Sequence, residues 1–114
     1  MRNFPNKLLA GVTLSGGEPF TQAKELTILA REIKSLGLDV MSFSGWTYEE
    51  LLTGATSQNG WRELLEELSY LIDGKFLIEQ KSLQLKFRGS KNQRIVDVKA
   101  SLATGKTVTT ELEN

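Results

Sequence analysis

The sequence predicts an α/β fold built on a mainly parallel sheet with crossover helices, and three observations carry that expectation. Short β-favouring runs stop at glycine or aspartate. Between them lie stretches with apolar residues every three or four positions, and the two patterns alternate, as sheets joined by right-handed crossovers require. At 114 residues the chain is long enough for one core, so residues 1–114 are expected to form a single domain.

The first strand is expected at Val12 to Ser15, between Gly11 and Gly16. From Gln22 to Leu36, Leu26, Leu29, Ala30, Ile33 and Leu36 recur at helical spacing, and Gly37 supplies a left-handed residue to end the helix. A second strand is expected at Asp39 to Ser44, interrupted by Gly45. Thr47 and Glu50 then form a capping box for a short helix through Leu52. After the polar break Gly54 to Gly60, the residues Trp61, Leu64, Leu65 and Leu68 mark another helix, with Asn59 as its cap. Tyr70 to Asp73 reads as a third parallel strand. Beyond it the run "SLQLKFRGSKNQRIVDV" alternates only weakly, and "GKTVTTELEN" has the residues for a last strand.

Composition narrows the chemistry. Lys plus Arg and Asp plus Glu number 14 each and the pI is near 6.3, so no overall field recruits nucleic acid or an acidic membrane. The chain has no cysteine and no histidine, which removes disulfides, thiolate and imidazole chemistry and ordinary zinc sites. No secretory leader or bilayer-length apolar run is present, and a soluble cytoplasmic chain is expected.

In a parallel sheet, ligands sit at the carboxyl ends of the strands, where "SGGEP", "SGW" and "DGK" should converge. A glycine pair before a helix suits an anion, but Glu18 in the same turn repels phosphate, and neither a P-loop nor a GxGxxG spacing is present. The turn better suits an ammonium group, paired with the carboxylate while glycines let a ligand touch backbone. Taken singly, an SGG turn, Ser44 and Asp73 are also ordinary loop chemistry; their joint placement favours a site.

The segments "VTLSGGEPF", "SGWTYEEL", "LIDGKF" and "LKFRGSKNQRIVDV", in that order over nearly the whole chain, resemble the carboxyl-terminal two-thirds of the activating proteins of anaerobic ribonucleoside-triphosphate reductase, a family of radical S-adenosylmethionine enzymes. The resemblance implies a piece of a partial (β/α) barrel with S-adenosylmethionine across the strand ends. Gly16, Gly17 and Glu18 fall on the family's GGE motif, which receives the cofactor's amino group. Ser44 matches a small hydroxyl position near the cofactor. Asp73 and Lys75 resemble an Asp-x-Lys pattern, with Lys75 pairing the methionine carboxylate and Asp73 holding a bridging cation or water, or only orienting the loop.

Arg88 to Arg94 resembles a family-specific loop whose role the residues do not give. A face toward the reductase and a solvated basic loop stand as even readings.

The implied activity is reductive cleavage of S-adenosylmethionine to methionine and a 5′-deoxyadenosyl radical, which takes hydrogen from a glycine of the reductase; an electron donor such as flavodoxin serves the parent enzyme. The family's CxxxCxxC motif, which holds a [4Fe–4S] cluster, is absent here. The chain is therefore expected to be a fragment, inactive alone, with an uncovered strand edge that invites self-association. The alternative is a non-catalytic α/β module that binds the reductase or a small amine. An unrelated α/β ligand-binding or regulatory domain would require the motif matches to be coincidental.

Overall fold

The computed structural model describes residues 12–14, 17–75 and 93–110. Three parallel neighbours, β1 (Val12–Leu14), β2 (Val40–Phe43) and β3 (Tyr70–Asp73), form the sheet in chain order. Each of the three expected parallel strands is present within a residue or so of its expected limits; Ser15 and Gly16 lie outside the described residues. The helices are α1 (Ala23–Ser35), α2 (Tyr48–Gly54), α3 (Trp61–Glu67) and α4 (Val98–Thr104), and a 3-10 turn over Pro19–Gln22 precedes α1. Among the described residues no helix is long and apolar enough to cross a membrane.

The fourth strand corrects the carboxyl-terminal reading. β4 (Arg94–Asp97) pairs antiparallel with β3, from Tyr70↔Asp97 to Asp73↔Arg94, so the sheet is mixed. Asp97 then starts α4, its carboxylate accepting the Ala100 N–H at 3.0 Å, and Gly105 ends the helix at φ +74°. No helix was expected there, because seven residues hold too few turns to show a period. Of the anticipated last strand, the described residues show one antiparallel bridge, Val96↔Thr109, and residues 111–114 lie outside them. Residues 76–92, which include "LKFRG", lie outside the described residues.

Strand alternation sorts the side chains onto two faces. Leu14, Val40, Leu71 and Val96 pack in one cluster with Ala30 and Ile33 of α1, Leu51 of α2, Leu64 and Leu65 of α3 and Val98 of α4. All four helices among the described residues thus contribute to the same face. Met41, Ile72 and Ile95 form a smaller cluster with Phe43 and Tyr70.

Helix α1 buries a stripe shifted from the expected one: Ala30 and Ile33 are buried and Leu26 packs against the core as expected, but the outer two leucines do not. Leu29 and Leu36 are 43% and 76% exposed, whereas Ala23 and Thr27 are buried beside Ala30 and Ile33. Small side chains let the helix approach the layer below it closely. The Thr27 hydroxyl tolerates burial because it donates to the Ala23 carbonyl at 2.7 Å. The expected caps are present: Gly37 has φ +81°, and Thr47 and Glu50 complete a reciprocal capping box. Asn59 takes the Trp61 N–H at 3.0 Å, although Gly60 occupies the cap position itself.

Candidate functional site

Glu18 leaves β1 through an extended conformation and caps the 3-10 turn, accepting the Phe20 N–H at 3.1 Å. Its carboxylate also reaches the loop after β2, where it accepts from the Ser44 hydroxyl at 3.0 Å and from the Gly45 N–H at 2.7 Å. The "SGGEP" and "SGW" loops therefore meet at one carboxylate. Two carboxylate oxygens offer about four acceptor positions, so three donors leave room for a fourth. A cleft of about 360 Å³ opens beside it, lined by Thr13, Gly17, Glu18, Thr21, Gln22 and Leu26 among others. A Cβ built on Gly17 meets nothing within 4 Å among the described residues.

Asp73 closes β3 and is 1% exposed. Alternation puts it on the helix-facing side, where Oδ2 accepts the Tyr48 N–H at the start of α2 at 2.7 Å. The antiparallel register sets Arg94 opposite, and its guanidinium forks onto the carboxylate, Nε donating to Oδ1 at 3.0 Å and Nη2 to Oδ2. The same guanidinium donates to Glu49 at 2.6 and 3.2 Å, and Thr107 adds its hydroxyl to Glu49 at 2.7 Å. Hydrogen bonding from Arg94, aided by Thr107, holds the Glu49 carboxyl down at about 2 against the effect of burial, and the two carboxylates raise Arg94 further above its already high value.

The third loop joins the second through backbone. Gly74 donates its N–H to the Trp46 carbonyl at 3.3 Å, and Gln93 donates to the Gly74 carbonyl at 2.9 Å. Trp46 and Trp61 pack with centroids 4.5 Å apart, and the Trp61 indole N–H donates to the Phe20 carbonyl at 2.8 Å. This aromatic pair buttresses the turn that carries Glu18.

Of the residues singled out from sequence, the structure brings Glu18 and Ser44 into direct contact beside Gly17. Asp73 lies under Arg94, and Lys75 is exposed beyond β3 and is not part of the cleft lining. Gly16 is outside the described residues. Sequence reasoning missed the roles of Arg94, Glu49 and Trp61. An aspartate ending one strand and an arginine opening the next was a signal for the first, but it becomes a pair only in antiparallel register.

The chain matches the 4Fe-4S single cluster domain family over residues 1–96. It is 34% identical over 89 residues to an anaerobic ribonucleoside-triphosphate reductase-activating protein of Vibrio cholerae, and 35% identical over 89 residues to the protein so named in Haemophilus influenzae. Each alignment covers 75% of this chain and 54% of the relative, so the chain spans about half the length of these curated relatives. No solved structure matches. The donor set does not fit an iron–sulfur cluster: there is no cysteine or histidine anywhere in the sequence, and among the described residues no three carboxylates gather as a metal site.

Proposed function

This chain belongs to the family of anaerobic ribonucleoside-triphosphate reductase-activating proteins, and on that premise we propose that it forms the S-adenosylmethionine-binding strand ends of such an activating enzyme. The single observation that carries the reading is the meeting of the first two loops at Glu18, whose carboxylate keeps one acceptor position beside an open cleft. An ammonium group suits that position: it brings hydrogen-bond donors and the complementary charge. Gly16 and Gly17 would offer backbone to the same group. Ser44 would orient Glu18 by its hydroxyl, and Lys75 would meet the methionine carboxylate.

Bound S-adenosylmethionine supplies a reducible sulfonium; the residues here bind and orient it and provide no general acid or base. The protein acted upon would be the glycyl-radical subunit of the reductase, with an electron donor such as flavodoxin serving the complete enzyme. Any thiolates that hold a cluster must come from outside these 114 residues. The absence of cysteine and histidine favours a second reading for the chain on its own, a module that binds without turnover.

Anaerobic reconstitution with iron and sulfide, followed by S-adenosylmethionine and a reductant, tests both points. The 114-residue chain should take up no stoichiometric cluster and release no methionine, while calorimetric titration of S-adenosylmethionine should show weak binding that Glu18→Gln abolishes. Cluster absorption with turnover would refute the non-catalytic reading. Binding that Glu18→Gln leaves unaltered would refute the site.

A further inference from the structure

We infer that Arg94 is a positioning residue for the candidate site: by clamping Asp73 it fixes the loop Ser44–Thr47, which carries the donors to Glu18. This loop is tied down on two sides. At its start, Ser44 and Gly45 donate to Glu18; at its end, the Tyr48 N–H donates to Asp73, and the Trp46 carbonyl accepts from Gly74, the residue after Asp73. One carboxylate therefore fixes each flank of the loop.

The two flanks differ in their support. Glu18 caps the 3-10 turn and is partly exposed. Asp73 is 1% exposed, and burying a carboxylate costs much free energy unless a cation is paired with it. Arg94 is that cation, and the antiparallel pairing of Asp73 with Arg94 presents its planar fork to both oxygens. The guanidinium is itself oriented by Glu49, which Thr107 holds in turn. The line of support runs from Arg94 through Asp73 to the Tyr48 amide and so to the loop, with Glu49 and Thr107 adding to the outer side of the guanidinium.

The inference deepens the site reading and rests on it for the ligand's identity, but its test needs no ligand. The chain has two tryptophans, Trp46 within this loop and Trp61 on α3, packed 4.5 Å apart with planes at 42°. Coupled indoles at that separation give an exciton couplet in far-ultraviolet circular dichroism, whose amplitude reports where the loop sits. With all proteins kept well below their own melting midpoints, Arg94→Gln should lose about half the couplet or more, because the aromatic contact is geometry-dependent. Arg94→Lys, which keeps the charge but not the fork, should fall between it and the wild type. Glu49→Gln leaves the Arg94–Asp73 fork in place and should keep most of the couplet.

If Arg94→Gln does not fold, Arg94→Lys decides. An unaltered couplet in the folded Arg94 variants overturns the inference. So does an equal loss in Glu49→Gln, which would put the control of the loop at Glu49. Absence of S-adenosylmethionine binding to the wild-type chain, with the couplet changes as expected, would count against the ligand assignment alone.

Discussion

Replacing Glu18 by glutamine keeps the side chain's shape and removes its charge and one of its two acceptors. In the structure one oxygen serves Phe20 N–H and Ser44 hydroxyl, and the other serves Gly45 N–H at 2.7 Å. With the amide oxygen on the Phe20 side, its NH₂ must face the Gly45 N–H, donor against donor. One charge-assisted hydrogen bond is lost outright and the others weaken to neutral ones. At about 1.5–3 kcal/mol for a hydrogen bond to a charged group, the net cost is about 2 kcal/mol, reduced toward the lower end because water can reach the exposed Gly45 amide. For a domain near this size that corresponds to a fall in melting midpoint of roughly 8 °C or more. Urea denaturation followed by circular dichroism, with wild type and Glu18→Gln compared at equal m-value, measures it. A change below about 0.5 kcal/mol, the range of an ordinary surface substitution, would show that the carboxylate does not join the two loops and would leave ligand binding as its only role.

Two further outcomes are expected. Gly60 has φ +76°, and a Cβ built there lies 2.8 Å from Lys24 Cγ and 3.2 Å from the Lys24 backbone nitrogen, whereas Gly37 at φ +81° faces open space. Gly60→Ala should therefore lower the melting midpoint clearly more than Gly37→Ala, whose cost is about 1 kcal/mol of backbone strain; equal losses would refute the close approach of α1 to the start of α3. The Glu49 carboxyl is depressed from 4.5 to about 2, so the stability it contributes is complete above pH 4.5 and disappears as pH falls through 2. Because its side chain is 53% exposed, salt should shrink the effect, and Glu49→Gln should flatten the acid limb of stability measured between those limits; an unaltered slope would refute the Arg94–Glu49 pairing.

Features whose causes lie within a few residues were legible in the sequence. The order of β1, α1, β2, α2, α3 and β3 was legible from runs and periods, and the Thr47–Glu50 box and Gly37 terminus from capping chemistry. The sequence also determined what the chain cannot hold, since a cluster needs thiolates that the composition lacks. The convergence of "SGGEP" with "SGW" followed from the rule that parallel strands present their loops at one end.

Tertiary structure alone decided the rest. Leu29 in α1 and Leu36 at its carboxyl cap share the apolar period yet face outward, because close approach of the helix brings the small side chains of Ala23 and Thr27 inward beside Ala30. The direction of β4 depends on pairing with a strand some twenty residues earlier, a relation with no local signature. That register brings Arg94 opposite Asp73, so a carboxylate that reads in sequence as a candidate ligand is committed to an arginine and a backbone amide. Residue types and spacings state which charges exist; only the packed chain states which of them meet, because the energy of a buried charge depends on its nearest partner in space.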